Sequence, residues 1–186
     1  MSRLFIAVKV SAEIRQELYR LQVALFAGMP YARVVSPDNL HVTLRFLGEV
    51  KEERAADAVA ACGRTAAAFA PFSMEISGVG SFPRKNPRVI WAGINDGSDY
   101  LIEVNKKLEA LLVDAGFPAD DKSYRPHLTL ARLKPAWEIV RLKERLINLE
   151  GFLFGRQTVQ DIVLMESRLG HDAPVYTEVA CRPLSG

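Results

Sequence analysis

Apolar and polar positions follow two different periods along this chain, and the places where the period changes mark its elements. Leu4 to Val8 reads as a buried strand, and behind the N-cap candidate Ser11 the spacing of Ile14, Leu18, Leu21 and Leu25 makes one stripe of a helix that Gly28 and Pro30 stop. A short strand around Arg33 to Val35 leads through the turn cluster Ser36-Pro37-Asp38-Asn39 into a strand from Leu40 to Leu47, closed by Gly48. Alanine-rich Lys51 to Phe69 reads as a helix packed closely on a sheet, and Pro71 ends it. Phe72, Met74 and Ile76 then alternate with Ser73, Glu75 and Ser77, the period of a half-buried strand. After the Pro83 to Pro87 loop come a strand from Arg88 to Ile94 and a helix carrying Leu101, Val104, Leu108 and Leu111, with Gly116 as its stop. The polar, acidic loop Phe117 to Tyr124 delivers Arg125-Pro126 and a strand from His127 to about Leu133. A helix over Trp137 to Leu149 and strands at Thr158 to Glu166 and Pro174 to Ala180 complete the chain, the last alternating Val175, Thr177 and Val179 against Tyr176 and Glu178.

With so many strands adjacent in sequence, a purely parallel sheet is excluded, and the expected class is α+β with largely antiparallel pairing. No linker divides the 186 residues, yet Leu40-His41-Val42-Thr43-Leu44-Arg45 is echoed by Pro126-His127-Leu128-Thr129-Leu130-Ala131-Arg132. Residues 1–186 are therefore expected to form one domain of two related lobes that face each other.

Composition narrows the function. A chain that is 49% hydrophobic and 25% charged can build one sizeable core, and its longest apolar stretches are too short or too broken to span a bilayer. No membrane association and a monomeric state are expected. The opening run has no extended signal core, so the cytoplasm is the expected location. Cys62 and Cys181 have no CxxC spacing and read as reduced thiols, not as zinc ligands. Lys and Arg number 24 against 22 Asp and Glu, which leaves no global footprint of a duplex binder. Nucleic-acid contact, if present, is local.

The chemistry is concentrated in two places. Three histidines and five threonines occur, so two of three histidines followed two places later by threonine has a chance probability of roughly one in five hundred. Residues i and i+2 of a strand share a face, so His41 with Thr43 and His127 with Thr129 each present an imidazole beside a hydroxyl, while Val42 and Leu128 point to the packing side. Cleaving a phosphodiester requires one proton removed from the nucleophile and another delivered to the leaving oxygen. Imidazole serves both near neutral pH, and threonine hydroxyls donate to non-bridging phosphate oxygens. A metal site made of the three histidines lacks an H-x-x-x-H pair and a carboxylate at ligand spacing, so no metal and no cofactor are expected. His171, in a polar turn without a threonine partner, reads as a surface residue.

These segments are similar to the paired HxTx motifs of the two-histidine phosphoesterase superfamily, and within it to the bacterial and archaeal RNA 2′,3′-cyclic phosphodiesterases, also called 2′-5′ RNA ligases. The likeness extends to the opening strand, Pro37-Asp38-Asn39-Leu40, the Phe82-Pro83 turn and Leu164 to Ser167. It implies a bilobal, pseudo-symmetric fold with antiparallel sheets lining a cleft and helices outside. It also implies an enzyme that opens 2′,3′-cyclic phosphates at RNA ends to 2′-phosphates, with His41 as proton donor to the leaving 3′ oxygen and His127 as the acceptor that activates water. The alternatives are an RNA-end-binding module without turnover, or the same chemistry on a nucleotide or ADP-ribose cyclic phosphate. Arg45 and Arg132 are candidate phosphate contacts. By strict alternation Arg45 shares the face of His41, whereas Arg132 lies opposite His127 and is a solvated charge unless a bulge re-aims it. Phe46 and Tyr124 are candidates to stack on a base, with core packing the favoured fate of Phe46.

Overall fold

The computed structural model describes residues 1–83, 86–134, 142, 144–146, 148–170 and 173–186. Its elements in chain order are β1 (Ser2–Lys9), α1 (Ala12–Phe26), β2 (Ala32–Val34), a 3-10 turn (Pro37–Asn39), β3 (His41–Val50), α2 (Glu52–Ala66), β4 (Phe72–Phe82), β5 (Val89–Ile94), α3 (Ser98–Asp114), β6 (His127–Leu133), β7 (Leu153–Val159), β8 (Asp161–Leu169) and β9 (Pro174–Pro183). The expected helix from Trp137 to Leu149 falls largely on residues outside this description, as does His171.

All pairings among the described strands are antiparallel, in the order β7-β4-β5-β6-β3-β1-β8-β9, with β2 beside β6. The sheet is curled, and the fold is α+β as expected. The two lining sheets are its two four-stranded halves, which meet at a seam where one register pair, Val42 opposite Leu128, joins β3 to β6. Helix α1 packs on β7, α2 on β8 and β9, and α3 on β3, so the helices cover one face and leave the other open.

Local sequence accounts for the helices. The Ser11 hydroxyl accepts from the Ile14 amide at 3.3 Å, and Glu13 lies in the first turn of α1 where the helix dipole favours a carboxylate. Ala58, Ala61, Cys62, Thr65 and Ala66 form the buried stripe of α2, whose small side chains permit its approach to the sheet. Under the helices lies one continuous apolar core that includes Ile6, Val8, Val42, Leu44, Leu128, Leu130 and Leu108. On the opposite face a smaller cluster, Phe5, Ala7 and Val163 with Tyr176 and Met165 against it, flanks β3.

Three expectations are corrected here. The strand read over Thr158 to Glu166 is two strands, because the chain breaks at Gln160 and passes from β7, paired with β4, to β8, paired with β1. The β4 strand runs past Ser77 to Phe82, its alternation hidden by Gly78 and Gly80. On β9, an edge strand, Val175 and Val179 are exposed, and half-buried Tyr176 turns towards Phe5.

Candidate active site

An antiparallel pair has a local two-fold axis, and the Val42–Leu128 pair lies at the centre of both His-x-Thr segments. Val42 and Leu128 are fully buried in the core under the helices. Consequently the flanking His41, Thr43, His127 and Thr129, all partly exposed, emerge on the open face, with His41 set beside Thr129 and Thr43 beside His127. The four residues expected to act together are thus brought together by one register pair.

Each imidazole is oriented in the same way. The His41 Nδ1 lies 2.7 Å from the Asn39 carbonyl oxygen, and the His127 Nδ1 lies 2.7 Å from that of Arg125. A carbonyl only accepts, so both Nδ1 atoms carry hydrogen and both Nε2 atoms are left for chemistry. The Nε2 of His41 lies 2.9 Å from the Thr43 hydroxyl, which donates to it when the ring is neutral. Aromatic side chains wall each ring: Phe5 and Tyr176 at 4.8 and 5.5 Å from His41, Phe82 and Trp91 at 5.3 and 6.5 Å from His127. These four walls carry no signal in the local periodicity, since each comes from a different strand.

Burial is the main cause that pulls both imidazoles below their ordinary pKa, opposed by the carbonyl bonds to Nδ1 and reinforced by the nearby Arg132 cation. His41 also feels His127. An anion placed between the rings reverses this bias, because it favours the imidazolium form.

The two arginines exchange the places that strict alternation assigns them, for one reason. Against β1 the register steps from Ile6–Arg45 to Ala7–Thr43, and against β5 it steps from Ile90–Ala131 to Trp91–Thr129. Each strand therefore holds an extra residue three places after its histidine, Leu44 in β3 and Leu130 in β6, and β3 holds a second, Leu47, further along. Leu44 and Leu130 stay buried, and beyond them the alternation inverts. Arg132, exposed between buried Ala131 and Leu133, turns onto the histidine face, where its charge lowers the pKa of His41, His127 and Tyr176. Phe46 occupies the matching place in β3; it is 56% exposed, so core packing is not its fate, and its ring lies 5.9 Å from Phe5.

Arg45 turns the other way, towards α3. Its Nε donates to Glu109 at 2.6 Å, and its terminal nitrogens donate to Asp120 and to the carbonyls of Phe46 and Pro118. With its side chain only 10% exposed, it is a strut between β3, α3 and the loop before His127 rather than an open phosphate donor. Replacing Arg45 by Met leaves Glu109 without its cation in a half-buried setting, with only the Asp120 amide on its carboxylate, so it is expected to lower the unfolding free energy by about 2–4 kcal/mol. Urea denaturation checks this, and the Arg45→Met, Glu109→Met double variant should recover part of the loss.

Beside His127 a cavity of about 340 Å³ opens, lined among others by Thr43, Phe46, Phe82, Tyr124 and Arg125. The buried Tyr124 hydroxyl has no hydrogen-bond partner, and burial pushes its pKa up. Among the described residues no cluster of three or more His, Cys, Asp or Glu is arranged to hold a metal ion, and no helix is long and apolar enough to cross a membrane.

A curled antiparallel sheet carrying two His-x-Thr segments about a local two-fold defines a class of phosphoesterases. The chain belongs to the LigT-like phosphoesterase family, whose sequence pattern matches residues 8–91 and again 93–176. It is 36% identical over 152 residues, 80% of this chain and 84% of the relative, to an RNA 2′,3′-cyclic phosphodiesterase of Aeropyrum pernix. An RNA 2′,3′-cyclic phosphodiesterase of Archaeoglobus fulgidus is 35% identical over 178 residues, 95% of this chain and 97% of the relative. The fold matches a crystal structure from Thermus thermophilus with a TM-score of 0.84, 32% identity and 99% and 98% of the two chains covered. For Escherichia coli LigT complexed with 3′-AMP the TM-score is 0.82 at 27% identity, with 100% and 99% covered.

Proposed function

We propose that this protein hydrolyses 2′,3′-cyclic phosphodiester ends of RNA to 2′-phosphomonoesters by metal-independent acid–base catalysis between His41 and His127. The carrying observation is the Val42–Leu128 register pair, which brings two His-x-Thr segments to one face with both Nδ1 atoms held by carbonyls and both Nε2 atoms turned away from them for proton transfer. The curated relatives bear this activity in their names.

In this reading the cyclic phosphate sits between the rings. Its charge raises the pKa of His41 and keeps that ring protonated, while His127 is neutral. His127 Nε2 takes a proton from water as the water oxygen bonds to phosphorus. The bond from phosphorus to the 3′ oxygen breaks, and His41 Nε2 delivers a proton to that oxygen. The product carries a 2′-phosphate and a free 3′-hydroxyl. Thr43 and Thr129 donate to the non-bridging oxygens, and the Arg132 guanidinium offsets their charge. Phe46 and Tyr124 border the cavity that receives the terminal base. With a 5′-hydroxyl in place of the attacking water, the same geometry joins RNA through a 2′-5′ bond and frees the 3′-hydroxyl. We assign the protein to the cytoplasm as a monomer, a single domain of two related lobes.

The direct test is incubation of an oligonucleotide ending in a 2′,3′-cyclic phosphate with the protein in excess EDTA. The expected product is a 2′-phosphate, resolved from the 3′ isomer by chromatography. Activity that disappears on chelation and returns with a divalent cation rejects the metal-free mechanism, and absence of turnover under every condition rejects the reading.

A further inference from the structure

Gln22 lies in the apolar stripe of α1 between Leu18 and Leu25 and is only 2% exposed. An apolar residue would suit that position without desolvating an amide. Of the other polar residues buried to this degree among those described, Thr65 bonds to its own helix at the Ala61 carbonyl, and Glu75 pairs with Arg156 and Asn95. Gln22 instead reaches out of its helix. Its Nε2 donates at 2.9 Å to the carbonyls of both Val35 and Leu130, while its Oε1 is buried without a partner.

Leu130 is the extra residue of β6, the one after which Arg132 turns to the open face. On the edge of β6 away from β5, Leu128 pairs with Val42 of β3, and Ala131 pairs with Val34 of β2. The Leu130 carbonyl falls in the gap between those two neighbours, where the Val35 amide and the Gln22 side chain supply its donors. A strand bulge has lost ladder bonds, so it persists only where other groups satisfy the backbone it exposes.

The other half of the sheet repeats this arrangement. Leu44, the extra residue of β3 that matches Leu130, receives a bond of 2.8 Å on its carbonyl from the Nδ2 of Asn105 on α3. Two helices thus each send one carboxamide to the carbonyl of one bulge, and the two bulges aim Arg132 and Phe46.

We propose that Gln22 and Asn105 are positioning residues: their amides lock the β6 and β3 bulges in place, Gln22 aiming Arg132 at the phosphate and Asn105 aiming Phe46 at the base. The phosphate and base in this statement rest on the two-histidine reading of the cleft. Neither amide touches substrate. A leucine or methionine in place of Gln22 fills the same space, leaves Leu130 its bond from Val35 and removes the unpartnered oxygen, so the helix keeps its packing while the bulge loses its clamp.

The experiment is a set of double-mutant cycles with Gln22→Met, Asn105→Met, Arg132→Ala and Phe46→Ala. Gln22→Met should lower kcat/KM on the order of tenfold through misplacement of Arg132, and less than about twofold when Arg132 is already alanine. With Phe46→Ala its effect should stay multiplicative; Asn105→Met should show the reverse pattern. A second readout needs no turnover. NMR titration of His41 and His127 should show both pKa values rising in Gln22→Met, in the direction that Arg132→Ala moves them, since the displaced cation no longer opposes the imidazolium. Gln22→Leu repeats the measurement with a different shape. Unchanged histidine titration together with equal losses in the wild-type and Arg132→Ala backgrounds overturns the proposal, as does failure of both Gln22 variants to fold. A wild-type protein inert towards cyclic phosphates refutes the phosphodiesterase reading instead, while the titrations still decide whether Gln22 aims Arg132.

Discussion

Replacing His127 by Ala is expected to reduce kcat on a 2′,3′-cyclic-phosphate oligonucleotide by about 10²–10⁴-fold, and His41→Ala by a similar factor, because each removes one positioned proton-transfer group. The two imidazoles serve opposite ends of one displacement, so the double variant should lose far less than the product of the single losses. Each single variant should also delete one limb of a bell-shaped pH–rate profile. For His127→Ala the lost limb is the acidic one, where the base becomes protonated; for His41→Ala it is the basic one, where the acid loses its proton. The wild-type midpoints belong to the pair jointly rather than to either ring. Steady-state assays of folded variants across pH check all of this, and full activity in either single variant removes that histidine from the reaction.

The second large effect concerns Arg132. Its guanidinium lies close enough to depress both imidazoles, although it is five residues beyond His127 on a strand whose strict alternation sends it to the other side. A charge-assisted contact to phosphate is expected to contribute about tenfold to a hundredfold to kcat/KM, which is the loss anticipated for Arg132→Ala. The sign of the accompanying pH shift is opposite to what a lost catalytic group produces. Removing a cation favours the imidazolium, so both limbs of the kcat/KM profile should move to higher pH in Arg132→Ala. Arg132→Lys keeps the charge without the planar fork and should hold the limbs in place while recovering only part of the rate. Limbs that stay fixed in Arg132→Ala would mean the guanidinium faces away from the site.

Much of this was legible from short-range pattern. The helix stripes, the strand that carries each histidine, and the sharing of a face between His41 and Thr43 or His127 and Thr129 all depend on residues within one turn or one pleat. Their reading needs only the helical and strand periods. The pairing of two His-x-Thr-Leu segments also pointed to a common site, and the resemblance to the family implied the chemistry proposed for it.

Only the tertiary structure decided which strands are neighbours, and with that which way Arg45, Phe46 and Arg132 point. A bulge is set by the register of the adjacent strand: Leu44 is extra only relative to Ile6 and Ala7, and Leu130 only relative to Ile90 and Trp91, so nothing within five residues of either signals it. The same holds for Gln22, a polar residue in an apolar stripe until the Leu130 carbonyl is brought against it from a strand 108 positions away. Local periodicity determined the residues that can do the chemistry; long-range register decided how they are aimed.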